Sequence, residues 1–130
     1  TRLKTTVPSS IPFQLTQMDA SSLTFPDNQF ETVLDTFSIC VMSHPDKTLR
    51  EMKRVTSPGG RIVLVENTRS NNALIGWYQD ISEPIITPLS KGCVWNTDVS
   101  ELARKEGLHA VQEERGQLGT LLIGVYEKTQ

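Results

Sequence analysis

Apolar residues crowd into two short runs between Phe30 and Glu66. The first holds Phe30, Val33, Leu34 and Phe37 to Val41, and the second is Ile62, Val63, Leu64 and Val65. Runs this short, rich in β-branched and aromatic residues, fit strands covered on both faces, as in a parallel sheet. Between them, Leu49, Met52 and Val55 recur at helical spacing, with Lys47, Arg50, Glu51, Lys53 and Arg54 on the opposite side. Ser43 is placed to cap this helix. Pro45 sits where a first turn accepts proline, and Asp46 suits the positive end. Pro58-Gly59-Gly60 stops the helix and turns the chain into the second strand. The pattern predicts one βαβ unit, a crossover that is almost always right-handed.

Around this unit the pattern is less uniform. Residues 1–12 are polar, carry Pro8 and Pro12, and read as a linker or the remnant of a further segment. Phe13 to Met18 alternates and predicts a short strand, ended by Asp19-Ala20. Ser21 to Asn28 is a loop. After Glu66, residues 67–92 form an insert in which Ala73 to Ile86 predicts a helix. Leu74, Trp77, Tyr78 and Ile81 share one stripe, and Pro84 and Pro88 limit the helix. An insert at a strand's carboxyl end is placed to cover a site. A substrate lid and a helix packed on its own domain both satisfy this pattern. The next helix is capped by Asn96 or Thr97, carries Asp98 and Glu101 in its first turn and stops at Gly107, with Val99, Leu102 and Ala103 inward. Ala110 to Glu114 and Leu121 to Glu127 then predict an antiparallel hairpin around a Gly116–Gly119 turn. Residues 13–130 thus read as one α/β unit.

Composition narrows the function classes. The 130 residues suffice for one domain with a core, at 37% hydrophobic content. A net charge of −2, with Lys and Arg scattered, gives no nucleic-acid footprint. No run is long and apolar enough to span a bilayer. Cys40 and Cys93 lack metal-type spacing and read as reduced, buried thiols of an intracellular protein. No metal site is expected.

The ordered residues carry a resemblance. Asp19-Ala20, Leu23, Phe25-Pro26-Asp27-Asn28 and Phe30-Glu31-Thr32-Val33 lead into Leu49-x-Glu51-Met52-x-Arg54-Val55-x-x-Pro58-Gly59-Gly60-Arg61-Ile62 and then Glu66. This series resembles a class I S-adenosylmethionine-dependent methyltransferase of the ubiquinone/menaquinone-biosynthesis type. Lys91-Gly92-Cys93-x-Trp95-Asn96-x-Asp98 and Gly119-Thr120 are similar to a methyltransferase-like branch that includes a mitochondrial inner-membrane protein. The resemblance implies a mitochondrial, membrane-associated parent. It also implies a Rossmann-like sheet ordered 3-2-1-4-5-7-6, of which this chain holds the C-terminal part: strands three to seven, with parallel strands and a terminal antiparallel hairpin. The glycine-rich cofactor loop after the family's first strand has no counterpart among the eight glycines.

The resemblance implies S-adenosylmethionine as cofactor and a small, apolar methyl acceptor. It assigns Asp19 and Ala20 to the adenine, and Thr36, Phe37 and Ser38 to the methionine half. On its own, Asp19 reads as a turn-capping residue and Phe37 as core. His44 is the histidine near a strand's carboxyl end, either a base for the acceptor or a loop residue. Glu66 is the second acceptor-side candidate. The family often has histidine after it, where this chain has Asn67. Trp77, Tyr78 and Trp95 are candidates to face the acceptor. The alternative reading is a non-catalytic methyltransferase-like binding or assembly module. With the family's first two strands absent, the strand at residues 30–37 is expected to need a cover along its edge. A missing N-terminal segment, a second copy, a partner protein or the 13–18 strand would serve.

Overall fold

The computed structural model describes residues 10–128. Strand β1 (Phe30–Thr36) is followed by a 3-10 turn (Ile39–Val41), helix α1 (Pro45–Val55) and strand β2 (Thr56–Asn67). Helix α2 (Ala73–Leu89) and helix α3 (Val99–Lys105) come next, and strands β3 (Leu108–Gly116) and β4 (Leu121–Lys128) end the chain. The four strands form one sheet in the order β1-β2-β4-β3. β1 and β2 are parallel, and β4 runs antiparallel to both β2 and β3. That order reproduces strands 4-5-7-6 of the expected sheet. The expected strand at Phe13–Met18 does not form. A strand needs a ladder partner for its backbone groups, and none lies beside this segment among the described residues. The linker expected over residues 1–12 lies largely outside the described residues.

The register explains the core. Val33 lies opposite Ile62, which lies opposite Tyr126, and on the same face Leu64 lies opposite Gly124 and Glu66 opposite Leu122. Ile62, Leu64, Leu122 and Tyr126 are fully buried against Leu49 and Met52 of α1 and Val99 and Ala103 of α3. Gly124 leaves room for the Tyr126 ring, since a Cβ there would stand 2.5 Å from it. The other face differs from the sequence expectation. Leu34 pairs with Val63 and Val63 with Val125, while Thr36, Val65 and Ile123 form the next row. Leu34 is 63% exposed and Ile123 42%, so the helices among the described residues cover one face of the sheet only.

Local chemistry corrects four further expectations. The residues after Thr36 do not continue the strand: Phe37 turns to a φ of 52° and the 3-10 turn follows. His44, not Ser43, is the N-cap of α1, with Pro45 and Asp46 in its first turn as expected. Asp98, not Asn96 or Thr97, caps α3 by accepting from the Glu101 N–H at 3.0 Å. Helix α2 runs through Pro84 and Pro88 to Leu89, with both rings on the exposed side. Pro58-Gly59-Gly60 bulges out of the β1–β2 ladder. Gly60 sits so close to Glu31 O and Ser57 O that a Cβ would fall 2.8 Å from each.

Candidate functional site

The signature residues of α1 build a clamp. Leu49, Met52 and Val55 point into the core, while Glu51 and Arg54 face outward. Arg54 donates to Glu51, to Asp27 and to the carbonyls of Leu23 and Phe25 at 2.6–2.9 Å. Glu51 in turn accepts from the Leu23 N–H at 2.7 Å. Carboxylates on both sides raise the Arg54 guanidinium further above its ordinary value, Glu51 contributing most. The clamp pins loop 23–28 to the helix and so fixes the turn just before it.

That turn holds Asp19. Its Oδ1 accepts from the Ser21 N–H at 2.8 Å and from Ser21 Oγ at 2.7 Å, an Asx-type turn. These bonds hold the Asp19 carboxyl below its ordinary pKa, with His44 and Lys47 adding to the pull. Asp19 and Ser21 face Val41, Met42, Ser43, His44 and Thr48 across a cavity of about 320 Å3. Two residues singled out from the sequence, Asp19 and His44, therefore line one pocket beyond the carboxyl end of β1, where ligands bind in open α/β sheets. Ser21, Met42, Ser43 and Thr48 join them unforeseen, because only the fold brings the 19–21 turn against the start of α1.

The wall beside this pocket is the 37–41 segment. Thr36 and Phe37 are exposed, and Phe37 is not core. Its backbone N–H donates to Val65 O at 2.8 Å, which holds it in the left-handed conformation that bulky residues rarely adopt. The Ser38 N–H points inward to Glu66 Oε1 at 3.0 Å, joined by the Ile39 N–H at 3.4 Å. Ser38 Oγ bonds Asp35. Glu66 is fully buried, so it meets the 37–41 segment from beneath and not the pocket. Burial pushes its pKa up to about 8, and the hydrogen bond that its protonated form donates to the Asp35 carboxyl pushes the same way. Asp35 Oδ2 and Glu66 Oε2 are both buried with no donor from elsewhere in the protein, and a proton held on Glu66 supplies one. The pairing follows from register. Asp35 lies opposite Leu64 on the buried face, and Glu66 is the next residue along β2 on that face. An acidic residue inside the apolar run of β1 was the sequence signal for it.

The aromatic candidates lie on α2 and in the loop that follows it. Trp77 and Tyr78 are exposed on α2, and Tyr78 meets Trp95 edge to face with ring centroids 6.0 Å apart. Their helix is docked by its polar side. Gln79 is fully buried, accepts from the Ser70 N–H at 2.7 Å and donates to Thr68 O at 3.1 Å and Trp95 O at 2.8 Å. Asn72 caps the helix, and Arg69 holds Asp80 at 2.9 Å. The stripe of Leu74, Trp77, Tyr78, Ile81, Ile85 and Leu89 faces outward, each residue more than half exposed. Gln79 was missed because nothing in the sequence marks a glutamine as a buried anchor. Among the described residues no acidic, His or Cys group could hold a metal ion, and no helix is long and apolar enough to cross a membrane.

Known proteins share this arrangement. A methyltransferase domain family matches residues 1–64. The ubiquinone/menaquinone biosynthesis C-methyltransferase UbiE of Pseudomonas putida (strain W619) is 33% identical over 102 residues, which cover 77% of this chain and 40% of that protein. The chain thus spans less than half the length of this curated relative. Among solved structures, the [4+2]-cyclase SpnF superposes with a TM-score of 0.60 at 26% identity, covering 81% of this chain and 35% of that one. An S-adenosylmethionine-dependent methyltransferase from Methanosarcina mazei gives a TM-score of 0.58 at 18% identity, covering 85% and 65%. With the sheet order and the signature clamp, these matches agree on one conclusion: the chain belongs to the class I S-adenosylmethionine-dependent methyltransferase family and is similar to its ubiquinone/menaquinone-biosynthesis branch.

Proposed function

We propose that the protein carrying this chain transfers a methyl group from S-adenosylmethionine to a small apolar acceptor, and that this chain forms the adenine side and the acceptor side of the site. The observation that carries the reading is the pocket shared by Asp19 and His44 at the carboxyl end of β1. Its donor set fits an adenosine: a carboxylate held ionised by Ser21, a serine, and an apolar floor of Val41 and Met42. Asp19 and Ala20 hold the adenine, Asp19 accepting from its exocyclic amine, while Thr36, Phe37 and Ser38 flank the methionine half. Ser38 serves there through its position, because its N–H is already committed to Glu66. The bound cofactor supplies a methyl group already activated by its sulfonium.

The chain's own residues then orient and deprotonate. His44, exposed on the pocket wall, takes a proton when the acceptor is a phenol, a thiol or an acidic carbon. Trp77 and Tyr78 on the outward stripe of α2, with Trp95 behind them, offer the apolar surface that holds the acceptor and excludes water. Glu66 acts indirectly, by fixing Ser38 and Ile39 under the cofactor wall. The glycine-rich loop belongs, on this reading, to a part of the protein that precedes the chain.

Calorimetric titration of S-adenosylhomocysteine into this chain, and into a longer form that includes it, tests the proposal. The longer form is expected to bind at micromolar level, and Asp19→Ala to weaken it about tenfold, or about 1.4 kcal/mol. A second reading, a non-catalytic binding or assembly module, draws on the burial of Glu66 away from His44 and on the exposed α2 stripe. Absence of saturable binding by every form sinks the first reading and leaves the second.

A further inference from the structure

Cys40 and Cys93 are distant in sequence and adjacent in space. Cys40 lies in the 3-10 turn behind the pocket wall, 5% exposed, with Sγ 3.9 Å from Phe37 O. Cys93 lies in the loop that returns from α2, where it is partly exposed. Several bonds hold that loop in place. The Cys93 carbonyl accepts from Thr87 Oγ1 and from Ser90 Oγ, each at 3.2 Å. The Val94 N–H donates to the Cys40 carbonyl at 2.8 Å, so the two cysteine backbones run side by side. Lys91 and Gly92 both take positive φ to bring the chain round to this contact.

We infer that Cys40 and Cys93 form a reversible disulfide that ties the return loop of α2 to the wall of the pocket. The Val94–Cys40 backbone bond already sets the two residues next to each other. Burial raises the Cys40 pKa to about 12, and hydrogen bonding to Cys93 is the next cause, with the nearby Glu66 carboxyl adding a smaller push. The partly exposed Cys93 is therefore the entry point for a small oxidant, and the buried Cys40 is the resolving thiol. With a small-molecule disulfide as oxidant the step balances. The Cys93 thiolate attacks one sulfur and expels one thiol. The Cys40 thiolate then attacks Cys93 Sγ and expels the second. The protein loses two electrons and two protons, and the oxidant becomes two thiols. Because Cys40 must shed its proton first, closure accelerates as pH rises.

The bond would have a mechanical effect. Cys40 is flanked by Phe37 and Ser38 on one side and by the pocket-lining residues Val41 to His44 on the other. A disulfide would couple their motion to that of the loop after α2. The inference does not depend on methyl transfer, so its failure leaves the functional proposal standing.

Oxidised glutathione added to the purified protein at graded ratios to reduced glutathione is the test. Intact mass is expected to fall by two hydrogens with no adduct, both thiols disappearing together at one midpoint. Non-reduced peptide mapping should join the Cys40 and Cys93 peptides. Cys93→Ser, at the less buried position, should leave Cys40 reduced and unmodified under the same conditions. Hydrogen exchange should slow together over residues 37–44 and 90–96 in the oxidised form. A lasting glutathione adduct on Cys93 with Cys40 still reduced, or disulfides only between chains, overturns the pairing. An intramolecular bond without the joint change in exchange overturns the coupling.

Discussion

Glu66 has its carboxyl bonded to two backbone amides and to the carboxyl of Asp35, all within the protein. Burial and Asp35 raise its pKa to about 8, with the Cys40 thiol as a further titratable neighbour. The folded chain therefore holds a proton on Glu66 that the unfolded chain releases above about 4.5. Unfolding gives up that proton between the two values. Stability is full below the lower value and falls as pH rises toward 8, on the order of 1 kcal/mol per unit, then levels off. Glu66→Gln imitates the protonated form: its oxygen still accepts from Ser38 and Ile39, and its amide still donates to Asp35. Denaturant midpoints taken from pH 5 to 9 should show the wild-type slope and a flatter profile for Glu66→Gln, with the variant at least as stable at the alkaline end. A variant that loses stability equally at every pH, with the slope intact, would remove the shared proton from the account.

Helix α2 shows how an element can be legible in kind and not in orientation. Its outward stripe is apolar and its docked side is Gly76 and Gln79. Gly76 lies where a Cβ would stand 2.8 Å from the Arg69 guanidinium, so a larger residue would displace the end of that side chain from its place beside Asp80. Gln79→Ala would strand the Ser70 N–H and the Thr68 and Trp95 carbonyls, at about 1–3 kcal/mol for a buried group left unpaired. It should cost roughly 2–3 kcal/mol in chemical denaturation and speed hydrogen exchange over 73–89 before β2 or β4. Ile81→Ala, on the 53% exposed stripe, should stay within about 0.5 kcal/mol. A larger loss at Ile81 than at Gln79 would mean that the helix docks the other way round. Helical periodicity reports that one side is apolar and is silent on which side meets the protein. Where local chemistry decides, the sequence is read well. The α1 stripe of Leu49, Met52 and Val55, proline in its first turn, and the terminal hairpin all stand as their residues predict. Long-range contacts decide the rest. Glu66 is buried because Asp35 lies beside it and the Ser38 and Ile39 amides close over it, and Asp19 meets His44 because Arg54 clamps the intervening loop. Phe13 to Met18 fails as a strand because an alternating pattern cannot supply its own partner.

At the scale of the whole molecule, β1 is an edge strand beside an uncovered sheet face. Leu34, Val63 and Val125 make one cross-strand row, and Thr36, Val65 and Ile123 the next. Thr36 apart, the rows turn polar at β3, where Gln112 lies opposite Val125 and Glu114 opposite Ile123. Phe37 and Val41, both at least half exposed, extend the surface past the end of β1. Unpaired edge groups next to exposed apolar side chains favour pairing with another chain or segment. We propose that in its working form this edge and face are covered, by a further segment of the same protein, a second copy or a partner. The chain alone should then associate as its concentration rises and should bind a hydrophobic dye. Leu34→Lys places a charge on the edge strand at an exposed position and should restore the monomer without changing the thermal transition by more than a few degrees. Sedimentation across a hundredfold range of concentration reads this directly. A chain that stays monomeric and dye-free throughout would show that the face is content in water. A cover would then be unnecessary, and the half-exposed rows of β1, β2 and β4 would be ordinary surface. Association abolished by Leu34→Lys would instead assign the contact to the β1 side, where the expected sheet has its next strand.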